Sequence, residues 1–129
     1  MLNNPLANVL SYINNHEKLG KKDITLPNNS KFIRKVLTIL NEHNYLGTFT
    51  EIEDGKGKTL QLNLLGNINK TGVVRPRFNV KKDDYEKFEK RYLPAKDFGI
   101  IIVSTSKGLM IHTDAKEKGL GGVLVCYCY

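Results

Sequence analysis

Few residues in this sequence group in a way that chemistry would need. The densest group is Ser104-Thr105-Ser106-Lys107-Gly108, three hydroxyls and an amine directly after the apolar run Gly99-Ile100-Ile101-Ile102-Val103. Ser104 to Lys107 fits the S-x-x-K pattern, in which a lysine one helical turn after a serine draws off its proton. A glycine follows at once and an apolar run resumes at Leu109, so no helix carries the pair. The companion S-D-N and K-T-G elements and the G-x-S-x-G elbow are absent. An enzyme using Ser104 or Ser106 as nucleophile would lack its partner motifs, and the expectation is a protein that is not an enzyme. Asp97-Phe98-Gly99 matches the metal-binding tripeptide of kinases. A kinase needs roughly twice this length, a glycine-rich loop and a catalytic loop, none of which is present. That tripeptide reads as a turn into the strand at Ile100.

The two cysteines, Cys126 and Cys128, have no histidine at finger or knuckle spacing, since the histidines are His16, His43 and His112. The cysteines read as small apolar residues alternating with Val125, Tyr127 and Tyr129, and the histidines as surface or capping residues. No metal or other cofactor is expected. The acid pairs Glu51/Glu53 and Asp83/Asp84 read as solvated, the second pair supplying a helix cap. The hydroxyl loop is left with two readings, a turn or a binding surface. Ser and Thr hydroxyls donate and accept, so they can reach phosphate oxygens, ribose hydroxyls or base edges.

Charge bears on that choice. The 129-residue chain has a formal net charge of +7, which favours an anionic partner, either nucleic acid or a membrane surface. Residues 1–69 hold eight Lys/Arg against six Asp/Glu, a net of +2, whereas residues 70–129 hold twelve against seven, a net of +5. Arg75, Arg77, Lys81 and Lys82 precede any acid in the second part, and Phe78, Tyr85 and Phe88 are interleaved with them. Basic plus aromatic residues suit phosphate neutralisation and base stacking. Phe88 reads as core, and Tyr85 is open between core and stacking. No apolar run reaches the roughly 18 residues that span a bilayer, and no leader segment is visible. The expectation is a soluble intracellular protein.

The elements that hold these residues follow from periodicity. Asn4 and Pro5 suit a helix start, and Leu6, Val9, Leu10 and Ile13 continue it at helical spacing until Gly20. Asp23–Leu26 reads as a strand stopped by Pro27. Asn29 or Ser30 caps a second helix with the stripe Phe32, Ile33, Val36, Leu37 and Leu40, ended over Asn44–Gly47. Residues 48–53 and 58–65 form a hairpin around Asp54-Gly55-Lys56-Gly57, with Leu60, Leu62 and Leu64 on one face. Beyond the turn-rich stretch 66–72, residues 73–80 are extended, Pro76 marking an edge or irregular position. A helix capped by Asp83 or Asp84 follows, then strands at Ile100–Val103 and Leu109–Ile111. A short helix capped by Thr113 ends at Gly119, and a last strand runs over Val123–Tyr129. The fold class is α+β in two small domains. Residues 1–66 form an α-β-α-β-β domain, and residues 67–129 a mainly antiparallel β domain with short helices.

Taken in this order, the motifs resemble the small-subunit ribosomal protein eight family. The resemblance rests on Ser-Thr-Ser-Lys-Gly, then Leu-Met, the short segment Asp114-Ala115-Lys116-Glu117-Lys118 and Gly121-Gly122 before a terminal aromatic strand. Asn4-Pro5-Leu6-Ala7, residues 27–31, Ile52-Glu53-Asp54-Gly55 and Pro76-Arg77-Phe78 add to it. Residues 91–99 are closer to the archaeal and eukaryotic branch than to the bacterial one. The resemblance implies a structural, primary rRNA-binding protein that holds an irregular helix in the central domain of small-subunit rRNA and supports subunit assembly and translation. Neighbouring small-subunit ribosomal proteins would be further partners on a cytoplasmic ribosome, with no membrane and no small-molecule substrate. It implies RNA contacts at Ser104, Thr105, Ser106, Lys107, Gly121 and Gly122, and in the first half at Asn4, Pro5, Ser30 and Lys31. The bacterial pattern has Glu after the glycine pair, where this chain has Val123. An enzyme using Ser104 or Ser106 as nucleophile is the competing class, and a membrane-surface or general nucleic-acid binder driven by charge is a third.

Overall fold

Leu6, Val9, Leu10 and Ile13 fall on one stripe of a helix and are all buried, which fixes α1 (Pro5–Lys18). The structure is a computed structural model that describes residues 5–26, 31–53, 58–74, 79–81, 83–94 and 98–129. The expected cap positions at Asn4, Asn29 and Ser30, the strand stop at Pro27, the turn at 54–57, the irregular position at Pro76, the residues Arg75, Arg77, Phe78 and Lys82, and Asp97 of the turn before Ile100 lie outside the described residues. The chain divides into two compact units, Met1–Asn69 and Lys70–Tyr129, each with helices on an antiparallel sheet.

In the first unit α1 stops at Gly20, whose φ is +74°. Gly20 N–H donates to Glu17 O and Lys21 N–H to His16 O, both at 3.1 Å. This Schellman pair of bonds satisfies carbonyls that the helix end leaves without partners. Asn44 (φ 64°) closes α2 (Lys31–Glu42) with the same pattern, through Asn44 N–H to Asn41 O and Tyr45 N–H to Leu40 O. Three strands, β1 (Asp23–Leu26), β2 (Leu46–Glu53) and β3 (Lys58–Leu64), form a sheet in the order β1-β3-β2. The register sets Ile24 against Leu62, Leu26 against Leu60 and Leu46 against Leu64. Residues paired across antiparallel strands share a face, so these six buried side chains make one apolar surface. α1 lies against β1 and α2 against β2.

Two first-unit expectations change. Phe32 is 44% exposed, because at 100° per residue it sits about 90° from the centre of the stripe made by Ile33, Val36, Leu37 and Leu40. Glu51 is not simply solvated, since its carboxylate pairs with Arg34 of α2. Glu17 also acts beyond its own helix. Its carboxylate accepts the backbone N–H of Gly66 at 3.2 Å and of Ile68 at 3.0 Å, holding the segment after β3 against the end of α1.

The second unit contains β4 (Thr71–Val73), β5 (Asn79–Val80), α3 (Tyr85–Tyr92), β6 (Ile100–Thr105), β7 (Gly108–Ile111), α4 (His112–Glu117) and β8 (Gly122–Cys128). The sheet order is β4-β8-β6-β7, with β5 also paired to β8. Val80, Ile101, Val103 and Leu124 lie on one face and pack with Val74, with Tyr85, Phe88 and Leu93 in and just after α3, and with Ala115 of α4. The register skips one residue of β8 at Val125. This bulge keeps Leu124 on the helix-covered face while Cys126 and Cys128 stay on the other. That other face is buried at Ile100, Ile102, Ile111, Cys126 and Cys128 and becomes exposed or half-buried towards the β6–β7 turn.

Tyr85 belongs to the core. Its ring is 1% exposed and its hydroxyl donates to Leu120 O at 2.8 Å, so it does not stack on RNA. Asp84 occupies the N-cap of α3 but makes no side-chain cap bond, because its ψ of 1° departs from the extended geometry that aims a cap oxygen at the first turn. Thr113 is not the cap of α4. β7 runs straight into the helix, so Ile111 takes that position and Thr113 lies inside. Leu120 N–H to Ala115 O and Gly119 N–H to Lys116 O end α4 in the same way as α1.

His112 departs most from its surface or capping expectation, with 3% of its area exposed. Its Nδ1 accepts the N–H of Ile101 at 3.1 Å, which in the neutral ring leaves the proton on Nε2. Nε2 lies 3.3 Å from Glu89 Oε1, the same oxygen that faces Lys116. The charge that faces Glu89 Oε1 is that of Lys116, and the oxygen accepts no well-angled hydrogen bond among the described residues.

Candidate nucleic-acid interface

β6 and β7 are joined by a two-residue turn. Thr105 pairs with Gly108, leaving only Ser106 and Lys107 between the strands. Neither has a positive φ. That conformation falls on Gly108 (φ +109°), as in a type I turn closed by a glycine bulge. The expected three-hydroxyl loop is therefore divided. Ser104 and Thr105 are strand residues, and only Ser106 and Lys107 are loop. Successive strand residues point to opposite faces, so Ser104 and Thr105 present their hydroxyls on opposite sides of the sheet.

The three hydroxyls also differ in what they do. Thr105 Oγ1 donates to Gly108 O at 2.8 Å and accepts the N–H of Lys107 at 3.1 Å. Its only proton is used inside the turn, and one acceptor site remains. Ser104 and Ser106 are exposed, and their hydroxyls make no hydrogen bond among the described residues. Lys107 is exposed beside them.

Gly121 and Gly122 are explained by close approach. A Cβ on Gly122 would lie 2.3 Å from Ser104 O and 3.0 Å from both Ser104 C and Val103 Cγ1. A Cβ on Gly121 would lie 2.5 Å from Val80 O and 3.2 Å from Lys81 Cα. The start of β8 is thus wedged between the backbones of β5 and β6. The glycine pair sets the spacing between Lys81 on one side and Ser104 on the other, with Gly121 exposed and Gly122 half-buried.

The surroundings offer little nucleophilic chemistry. The single histidine of this unit, His112, is buried with its ring nitrogens turned to Ile101 and Glu89. Burial, reinforced by Cys128, pushes the Cys126 thiol far above the usual thiol range, so it stays protonated and inert. Among the described residues no three His, Cys, Asp or Glu side chains gather as a metal site. What the turn presents is a fixed set of neutral and cationic hydrogen-bonding groups at the edge of a basic unit.

Residues 4–129 match the family of ribosomal protein S8. The chain belongs to the ribosomal protein S8 family. It is accordingly a small-subunit ribosomal protein that binds rRNA, in a family whose members are structural. The α+β architecture in two parts agrees with the sequence reading. Among the described residues no helix is long and apolar enough to cross a membrane.

Ser104, Thr105, Ser106, Lys107, Gly121 and Gly122 are brought together, since Gly122 pairs directly with Thr105. Pro5 opens α1, and Lys31 opens α2 with an exposed side chain. Asn4 and Ser30 lie outside the described residues. These four belong to the first unit and are separate from the turn in the chain. The sequence carried no signal that Thr105 is committed to its own turn, because that depends on the hairpin closing after Lys107.

Proposed function

We propose that the second unit carries the rRNA contacts and that the RNA is an irregular helix in the central domain of small-subunit rRNA. On this reading the protein binds early, holds the helix in one shape and supports subunit assembly and translation, with neighbouring small-subunit ribosomal proteins as further partners in the cytoplasm. Ser104 and Ser106 supply hydrogen bonds, Lys107 a phosphate contact, and Gly121 and Gly122 a bare backbone that RNA can approach. Thr105 keeps the turn in shape and offers its remaining acceptor site. Asn4 and Pro5 near the start of the first helix and Ser30 and Lys31 near the entry to the second add further RNA contacts from the first unit. The role is binding without catalysis.

The observation that carries this reading is the end of the β6–β7 hairpin, with two exposed hydroxyls and an exposed lysine on a turn tied by Thr105 Oγ1. Such groups suit RNA, which is recognised by shape, 2′-hydroxyls and irregular bases. A titration of the protein with a central-domain rRNA fragment and with a duplex of equal length, at several salt concentrations, tests it. Tighter binding to the fragment is expected, and Ser104→Ala with Ser106→Ala should remove most of the difference. Equal affinity for both RNAs would overturn the specific reading and leave an unspecific electrostatic binder.

A further inference from the structure

Ser104 is one member of a row that crosses four strands. Asn79 of β5 pairs with Val123 of β8, Val123 with Ser104 of β6, and Ser104 with Leu109 of β7. Paired residues share a face, so all four side chains stand on the same side of the sheet. Asn79 and Ser104 are exposed, and Val123 and Leu109 are half-buried. The row is therefore polar, apolar, polar, apolar. Two strand spacings separate Asn79 from Ser104, about 10 Å. The separation is fixed rather than adaptable, because Gly121 lies against the Val80 and Lys81 backbone on one side and Gly122 against Ser104 on the other.

We infer that Asn79 is a specificity-determining contact to the bound RNA. It would act as the far end of a two-point reader whose near end is Ser104, and the inference rests on the rRNA-binding reading above. A primary amide carries two donors and an acceptor. It can therefore read a base edge or a 2′-hydroxyl, where a lysine could only neutralise phosphate. Val123 between the two polar groups gives a dry floor against which a ribose or base face packs. The Asn79 side chain is exposed and makes no hydrogen bond to another described residue. Lys81, exposed two residues later, supplies charge next to it.

The test uses the full chain with Asn79→Ala, Asn79→Asp, Lys81→Ala and Ser104→Ala, each titrated with the central-domain fragment and the equal-length duplex over a range of salt. Urea unfolding of each variant checks that it folds. Asn79→Ala is expected to unfold like the parent and to lose about three- to tenfold in affinity for the fragment, the range of one uncharged hydrogen bond. It should lose little for the duplex and keep the parent's salt slope, because no charge is removed. Asn79→Asp should lose more, by repulsion from phosphate. Lys81→Ala should instead flatten the slope for both RNAs. Fragment affinity within twofold of the parent for Asn79→Ala, alongside a clear loss for Ser104→Ala, overturns the role of Asn79 and keeps the rRNA reading. A parent protein that does not distinguish fragment from duplex overturns both.

Discussion

Replacing Gly122 by alanine tests the link between sheet packing and RNA binding most directly. The new Cβ would lie 2.3 Å from the backbone oxygen of Ser104. Non-bonded heavy atoms are comfortable at about 3.5 Å, so the shortfall exceeds about 1 Å. The obstacle is main chain and cannot rotate away, and Val103 Cγ1 at 3.0 Å closes another direction. The strands must part, and with a normal spacing of about 4.8 Å such an opening breaks the Thr105–Gly122 pairing. Over-packing costs about 1–3 kcal/mol and a lost ladder hydrogen bond about 1 kcal/mol. The expected loss of stability is therefore about 2–4 kcal/mol, a large part of the roughly 5–15 kcal/mol that holds a typical domain.

The assay is urea unfolding of Gly122→Ala, with an rRNA-fragment titration under conditions where the variant is still folded. Gly119→Ala is the control. Gly119 has a φ of +67° and nothing within 4 Å of its Cβ position, so it should lose only about 1–2 kcal/mol of backbone strain and no RNA affinity. Gly122→Ala should lose both stability and, through displacement of Ser104, about tenfold in affinity, equivalent to about 1.4 kcal/mol. Parent-like stability and affinity in Gly122→Ala would refute the reasoning, as would an equal RNA defect in Gly119→Ala.

Other outcomes follow from single contacts. Thr105→Val removes the hydroxyl that bridges Lys107 and Gly108, and should speed amide exchange at Lys107 and weaken RNA binding by about 0.5–1.5 kcal/mol; Thr105→Ser should restore both. Glu17→Ala leaves the Gly66 and Ile68 amides without their acceptor and should lower the urea-derived stability by about 1–2 kcal/mol, with Glu17→Gln in between. His112→Ala removes the buried acceptor of the Ile101 N–H and opens a cavity, so it should cost about 2–4 kcal/mol in the same measurement. Burial raises Cys126, and burial also raises Tyr85. A raised folded pKa favours the protonated fold, so this stability is intact below the unfolded pKa values of about 8.5 and about 10 and is lost as pH rises past them. Urea midpoints should be flat from pH 7 to about 8 and fall above that, at up to about 1.4 kcal/mol per pH unit for each group. Cys126→Ala should delay the fall to the tyrosine range.

The elements themselves could be read from the sequence because they are set locally. Helical spacing of Leu6, Val9, Leu10 and Ile13 defines α1 whatever surrounds it. Alternation of Leu60, Leu62 and Leu64 defines a half-buried strand. Gly20, Asn44 and Gly119 mark helix ends because an αL residue is needed there. The motif order that identified the family is also a property of the chain alone. The sequence could not decide whether Ser104-Thr105-Ser106 was a turn or a binding loop, because both readings use the same residue types.

Register and long-range proximity decided the rest. Ser104 and Thr105 were separated onto two faces by where β6 ends, and Thr105 was committed to the turn by where β7 begins. The glycine pair acquired its reason only when β5 and β6 closed on either side of β8. His112 and Glu89, 23 positions apart, met only through the packing of α3 against the strands. Asn79 gained its proposed role solely by standing two strands from Ser104. Such relations arise between segments far apart in the chain, and periodicity within a segment carries no information about them. The sequence by itself determined the elements and the family; the tertiary structure decided which hydroxyls are free, which are used by the fold, and how far apart the free groups are held.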